Sequence, residues 1–245
     1  MITDTNTNTR IDEIAANLYR ISVPLTGPIP GGFSFNHFLF AGEQPLLFHS
    51  GYSSMFDLVR TAIATVLPPE KLRYVGYSHY EPDESGAVDQ FLSIAPQAQP
   101  FSSEIGVMLA LGGTFQRPSL ALADGQILDI GSHRLQWMAT PHFPHGWDCG
   151  ILFDHTTQTL LSGDLFTHGG DNNPPVTETE ILTASEQFRV MMDYFAHAPN
   201  PGAQVEKLAA LNPKLLACQH GSSYRGDGAA LLRGLAGILA GNAVR

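Results

Sequence analysis

The chain is poor in cysteine. Its 245 residues include only two, Cys149 and Cys218, and they do not form a C-x-x-C pair. This scarcity excludes a disulfide-rich scaffold, a zinc ribbon and an iron site built from four thiolates. We expect both thiols to be buried and reduced, in a cytoplasmic protein. Both cysteines also lie near residues that could bind a metal ion, as described below, which leaves a disulfide or a redox role open.

Positive charge is scarce as well. The chain has 13 Lys and Arg residues against 23 Asp and Glu residues, which gives a formal net charge of −10. Nucleic acids and anionic membranes both require clustered basic side chains, so neither is an expected partner.

Long apolar runs are missing too. No run is long enough to cross a bilayer, and the polar, Thr- and Asn-rich start lacks the apolar core of a secretion signal. We therefore predict a flexible N-terminal tail over residues 1–16. Apolar residues make up 43% of the chain, enough for a full core, and no linker or change in composition divides the remainder. The sequence thus predicts one domain over residues 17–245.

Short apolar runs that predict strands alternate with helical patterns along the chain. One group of strands is predicted over residues 18–49 and a second over residues 119–163, and helical patterns follow each group. This order predicts an α/β (α+β) fold in which two sheets are flanked by helices, a four-layer αββα sandwich.

The segment from Ser78 to Glu84 carries the strongest chemical signal. Within six positions it has one histidine and three carboxylates, directly after an apolar run that predicts a buried strand. Such a strand delivers its next loop to the mouth of a sheet. His79, Glu81 and Asp83 alternate, so an extended segment would point them to one side. Because unpaired ionisable groups are costly to bury unless a cation satisfies them, the pattern predicts a dinuclear metal site.

Three later loops offer further ligands, each after a predicted strand. They contribute His142, Asp164 and His220. Each alone is weak evidence, because an aspartate after a strand is more often a turn or cap residue. Six ligand-type residues in this order together predict a metal site.

This set of motifs resembles the metallo-β-lactamase fold, in the variant found in flavodiiron proteins and related oxygen-binding di-iron proteins. Four segments carry the resemblance: His79-x-Glu81-x-Asp83, His142-Phe143-Pro144, Asp164 after an apolar strand and glycine, and His220-Gly221. The match runs through the whole chain in the family's order.

The resemblance implies a divided ligand set. His79, Glu81 and His142 would bind one metal ion. Asp83 and His220 would bind the second, with Asp164 as the bridge between them.

The chain departs from the family motif at Glu84, where a histidine commonly follows the aspartate. This carboxylate could bind the second metal, bridge through water or turn to solvent. His145, His168 and Tyr224 are candidates for hydrogen-bonding groups beside the centre, and the alternative for each is an ordinary loop or packing residue.

Glu81 favours iron over zinc, since hydrolases of this fold usually carry a histidine there. Carboxylate-rich coordination without thiolate suits iron or manganese, although zinc accepts the same ligands. The resemblance implies two iron ions that bind O2 or NO and reduce or sense it, with an external flavoprotein or rubredoxin as electron donor. A homodimer is also typical of the family. The alternatives are a dinuclear hydrolase of esters, lactones or phosphodiesters, and a binding module without turnover.

Overall fold

The computed structural model describes residues 1–27, 29, 31–110 and 115–242, and its strands form two sheets. Neighbouring strands of the first sheet are antiparallel from β1 to β5 and parallel from β5 to β8. In chain order and sheet order they are β1 (Ile2–Asp4), β2 (Thr9–Ala15), β3 (Leu18–Leu25), β4 (Phe33–Phe40), β5 (Leu46–Phe48), β6 (Tyr74–Gly76), β7 (Gln99–Ser103) and β8 (Leu120–Leu122).

The second sheet is mixed, with the order β13-β15-β14-β12-β11-β10-β9. Its strands are β9 (Ile127–Asp129), β10 (Arg134–Ala139), β11 (Gly150–Asp154), β12 (Thr159–Gly163), β13 (Val176–Thr177), β14 (Leu215–Cys218) and β15 (Ser223–Arg225). β12 pairs in parallel with β14, and β10 runs in the same direction because β11 lies antiparallel between β10 and β12. The three strands therefore end at one edge of the sheet.

Helices lie on the outer faces of both sheets. They are α1 (Phe56–Ala64), α2 (Pro82–Ser85), α3 (Val88–Ile94), α4 (Glu104–Leu109), α5 (Leu182–Met192), α6 (Pro201–Ala209) and α7 (Gly228–Asn242), with short 3₁₀ helices at Ser53–Met55 and Pro69–Lys71. None of the helices in the described ranges is long and apolar enough to cross a membrane.

Three separate layers of apolar side chains show how the four layers pack. On β4, Leu39 faces the layer that includes α1 and α3, whereas Phe38 and Phe40 face the layer between the sheets. The same alternation on β12 sends Leu161 between the sheets and Leu160 toward α6 and α7. This two-residue period is the expected consequence of burying both faces of a strand. The predicted αββα sandwich is confirmed.

The first 16 residues differ from the predicted flexible tail, because β1 and β2 extend the first sheet. β2 pairs with β3 along its length, and the N-terminal amine donates to the carbonyl of Ile11 at 2.7 Å. Ile11 and Ile14 are an odd number of positions apart, so strand alternation makes them face opposite apolar layers. Apart from Thr9 and these two isoleucines, residues 1–16 are exposed or half-buried, which their polar composition reflects.

Candidate metal centre

The candidate ligands lie in loops that follow β6, β10, β12 and β14. β6 belongs to the first sheet and the other three to the second, so the site lies where the edges of both sheets meet. Each loop leaves a buried strand and carries its polar residues at the first positions where the backbone turns away. This is the placement expected for ligand-binding loops of stacked sheets.

Four side chains from three of these loops converge on one point. One ligand atom each from His79, Glu81, His145 and Asp164 lies within 4.8 Å of the other three. Nε2 of His145 is 3.2 Å from Oε1 of Glu81 and 3.2 Å from Oδ2 of Asp164. Nε2 of His79 is 3.3 Å from the same Glu81 oxygen. We call this group the first ligand set.

A second group lies on the other side of Asp164. Nε2 of His220 is 3.3 Å from Oδ1 of Asp164 and 3.5 Å from Oδ2 of Asp83. The two carboxylate oxygens of Asp164 thus face different histidines, which is the arrangement needed for a carboxylate shared by two cations. We call Asp83, Asp164 and His220 the second ligand set.

Glycines next to two of the histidines make these close approaches possible. Gly146 follows His145 with a φ of +79°, and a Cβ there would lie 3.2 Å from Cβ of His79. Gly221 follows His220 with a φ of +89°, and a Cβ there would lie 2.4 Å from the ring of His168. Other residues rarely adopt positive φ, so both positions favour glycine on two grounds.

The buried polar atoms of the site fit a bound cation. Within the described residues, neither Nε2 of His79 nor Oδ1 of Asp164 has a partner in hydrogen-bond geometry, although both atoms are inaccessible to solvent. Leaving such atoms unpaired is costly, and native structures rarely do so. Metal ions at the two ligand sets would satisfy both atoms at once.

The ionisable groups of the site change one another's pKa values. The close imidazoles of His145 and His79 lower the pKa of Glu81 to about 2. Burial lowers the pKa of His145, but Asp164 and Glu81 outweigh it and raise that pKa to about 9. Burial likewise opposes ionisation of His220, yet Asp164 and Asp83 raise its pKa to about 10. In the metal-free protein these imidazoles therefore hold protons that a metal ion must displace.

The prediction of His142 as a ligand does not agree with this geometry. His142 is exposed and has a φ of +62°, whereas His145 takes the expected place in the first ligand set. The loop closes on itself through a hydrogen bond from the N–H of His142 to the carbonyl of Gly146 at 2.8 Å. This closure turns His142 outward and brings His145 to the sheet edge. The structure thus brings the predicted loop to the site, but it places His145 and not His142 beside Glu81 and Asp164.

The other residues proposed beside the site have different partners. The Glu84 carboxylate accepts a hydrogen bond from the N–H of His79 and lies outside both ligand sets. His168 uses both ring nitrogens on the backbone: Nδ1 is 2.9 Å from the carbonyl of Phe166, and Nε2 accepts from the N–H of Ser222 at 2.9 Å. Tyr224 packs on the apolar layer beneath α6 and α7. His168 and Tyr224 therefore connect elements of the second sheet.

Sequence reasoning missed three aromatic residues at the site. The hydroxyl of Tyr194 donates to the carbonyl of Asp164 at 2.9 Å, and its ring lies edge-on to His145 at 5.8 Å. Phe33 and Phe35 contact the ring of His220 with centroid distances of 4.4 and 5.3 Å. Phe33 begins a strand and Tyr194 follows the end of α5, so their local sequence gives no sign of a common site.

Comparison with known proteins places this geometry in a family. A family model described as "ODP family beta lactamase" matches residues 33–221, which include both ligand sets. The chain belongs to this family. Its predicted kinship with the flavodiiron proteins of metallo-β-lactamase fold is confirmed by the relatives that follow.

Two relatives and one solved structure illustrate the kinship. The rubredoxin-oxygen oxidoreductase of Megalodesulfovibrio gigas is 26% identical over 219 residues, covering 80% of this chain and 50% of the relative. The flavo-diiron protein FprA2 of Clostridium acetobutylicum is 29% identical over 211 residues, covering 80% and 51%. A variant flavo di-iron protein from Thermotoga maritima superposes with a TM-score of 0.81 at 20% identity, covering 93% of this chain and 61% of that one. The superposition supports the fold alone.

The chain spans only part of the curated relatives compared with it, between 24% and 51% of their length. What those proteins do as a whole therefore does not transfer directly to this chain.

Proposed function

We propose that this chain holds two iron ions and uses them to bind O2 or NO, which it reduces or senses. The observation that carries the proposal is the division of Asp164, whose two oxygens face the histidines of different ligand sets at 3.2 and 3.3 Å. The relatives named flavo-diiron protein and rubredoxin-oxygen oxidoreductase support iron and oxygen as the pair.

The donor set supports iron over zinc. His79, Glu81 and His145 would hold the first ion, Asp83 and His220 the second, and Asp164 would lie between the two. Three carboxylates balance most of the charge of two divalent ions, and no thiolate takes part. Such hard oxygen donors mixed with imidazole suit iron or manganese, although zinc also accepts them. The two cysteines are free and buried.

A bound iron pair would supply electrons and Lewis acidity to a diatomic molecule. The chain itself would shape the space around it. Phe33 and Phe35 cover His220 with apolar rings, and Phe33 is stacked in turn by Phe188 at 5.5 Å. This aromatic wall restricts water beside the second ligand set and favours a small uncharged molecule over a phosphodiester.

Tyr194 would help to orient the loop that carries Asp164. Its hydroxyl is committed to the Asp164 carbonyl, so it fixes the backbone that carries the shared carboxylate. Burial and the charge of Asp164 raise the pKa of Tyr194 well above its ordinary value, which keeps the hydroxyl protonated as a donor. Repeated reduction of O2 or NO would need an external donor, and the name of the Megalodesulfovibrio relative favours a rubredoxin.

Anaerobic reconstitution tests the proposal. Metal-free protein is loaded with Fe(II), its iron content is measured, and O2 or NO is admitted while the visible spectrum is recorded. We expect about two iron ions per chain, a new absorption band, and O2 or NO consumption that continues when reduced rubredoxin is supplied. A colourless protein that retains only zinc and hydrolyses a test ester or phosphodiester would instead support the hydrolase.

A further inference from the structure

Glu84 is a fully buried carboxylate whose two oxygens are both occupied within its own loop. Its Oε2 atom accepts hydrogen bonds from the N–H groups of Ser78 at 3.0 Å and His79 at 2.9 Å. Its Oε1 atom accepts from the hydroxyl of Ser78 at 2.6 Å and lies 3.3 Å from Nδ1 of His79. The Ser78 oxygen is also 3.3 Å from Nδ1 of His79 and, because its own proton goes to Glu84, it can accept from that nitrogen. The relative exposure of the residue is 0%. A role as a metal ligand would require breaking these contacts.

We propose that Glu84 is a positioning residue that, together with the Ser78 hydroxyl it orients, accepts a hydrogen bond from Nδ1–H of His79 and so leaves the Nε2 lone pair of that histidine free for the first metal. The inference rests on the proposed metal centre. A neutral imidazole carries one proton, so the partner of one ring nitrogen decides what the other can bind. Nε2 of His79 faces Glu81 and Asp164 at 3.3 and 3.7 Å, on the side away from Glu84.

Glu84 also contacts a second buried histidine. Nε2 of His49 lies 3.4 Å from Oε2 of Glu84, and Nδ1 of His49 is hydrogen-bonded to the side chain of Gln219. Gln219 precedes His220, and its own N–H donates to the carbonyl of Gly163 at 3.0 Å. Glu84 therefore lies in a polar layer that connects the loops of both ligand sets.

The geometry predicts an unusual effect of Glu84→Gln. The two backbone N–H groups require an acceptor at the place of Oε2, so the amide oxygen of the glutamine would take that place. Its NH2 group would then take the place of Oε1 and face Nδ1 of His79 as a donor. His79 would then favour a proton on Nε2, which the first metal ion would have to displace. The substitution therefore preserves the shape of the site and weakens its first metal position.

Cobalt titration of the metal-free protein tests the inference without any O2 chemistry. Co²⁺ is added to the wild type and to Glu84→Gln in competition with a chelator, and the visible Co²⁺ spectrum is recorded. We expect Glu84→Gln to bind two ions at saturation, with first-site affinity lowered about 10- to 100-fold and an altered spectrum. The matched control is Asp154→Asn, since Asp154 is also fully buried and accepts from Nδ1 of a histidine, His133, at 2.8 Å. It should bind Co²⁺ like the wild type.

Two results would overturn the inference. If folded Glu84→Gln, verified by circular dichroism, keeps wild-type affinity and spectrum, Glu84 does not position His79. If it saturates at one ion, Glu84 is itself a ligand. Should the variant fail to fold, ¹H–¹⁵N NMR of the zinc-loaded wild type decides, because a His79 ring without a proton on Nδ1 contradicts the inference. A wild type that binds Co²⁺ but shows no O2 or NO chemistry would contradict the proposed function. It would not affect the inferred positioning role of Glu84.

Discussion

Nε2 of His145 lies 3.2 Å from Oδ2 of Asp164, although the two residues follow different strands, β10 and β12. The contact joins two loops at the common edge of the second sheet and places His145 in the first ligand set. His142, three residues earlier, is exposed and outside it.

His145→Ala and His142→Ala therefore form a matched pair of variants in one loop. We expect His145→Ala to lower iron content from about two ions per chain toward one, because the first set loses a ligand. His142→Ala should keep the wild-type content. Metal analysis after anaerobic loading measures both, and the reverse pattern would restore His142 as the ligand.

Asp164→Asn should weaken both metal positions, since each carboxylate oxygen faces a different set. Asp83→Asn should weaken one, since the Asp83 carboxylate faces His220 of the second ligand set. A ligand at a thousandfold excess over its Kd stabilises a protein by about 4 kcal/mol. For a chain of this size that corresponds to a rise in Tm of roughly 8–16 °C. Thermal unfolding with and without Zn²⁺ should show this rise in the wild type and little of it in Asp164→Asn. A full rise in Asp164→Asn would contradict the shared role.

The sandwich, and the position of most candidate ligands at strand ends, could be predicted for a physical reason. A buried strand must be apolar, so a charged residue directly after it, such as Asp164 or His220, marks both the end of the strand and the edge of the sheet. The layer order follows from the same runs, because each sheet needs helices on its outer face. These features are local and can be read from short segments.

Features decided by loop closure were not predictable. The choice between His142 and His145 depends on the turn closed by Gly146, and residue spacing within an irregular loop does not fix side-chain direction. Ile11 and Ile14 were missed as core residues because strand alternation sends them to different apolar layers, so this mostly polar segment shows no single apolar face. The buried position of Glu84 likewise depends on two backbone N–H groups that become available when the loop folds.

Cys149 and Cys218 should be inert in the native protein. Burial raises the pKa of both thiols to about 12, so at pH 8 only about one in ten thousand is the reactive thiolate. Titration with a thiol-reactive dye should detect almost no thiol in the folded protein and two per chain in guanidinium. Rapid labelling of one native thiol would reopen a redox role.

The ion pair of Asp154 and His133 provides a pH-dependent test of stability remote from the metal centre. Burial alone would raise the pKa of Asp154, but hydrogen bonds from His133 and Thr157 lower it below its ordinary value. A carboxylate with a lowered folded-state pKa stabilises the protein above its unfolded-state pKa and loses that contribution as the pH falls through the folded-state pKa. Asp154→Asn should therefore cost about 1–3 kcal/mol at pH 7. This loss corresponds to a Tm lower by roughly 2–12 °C. The difference from wild type should shrink below about pH 4.

Exposed Asp57→Asn is the control and should change Tm little. A chelator in both samples removes any contribution from metal. A Tm difference that stays constant from pH 7 to pH 3 would show that the Asp154 charge does not contribute.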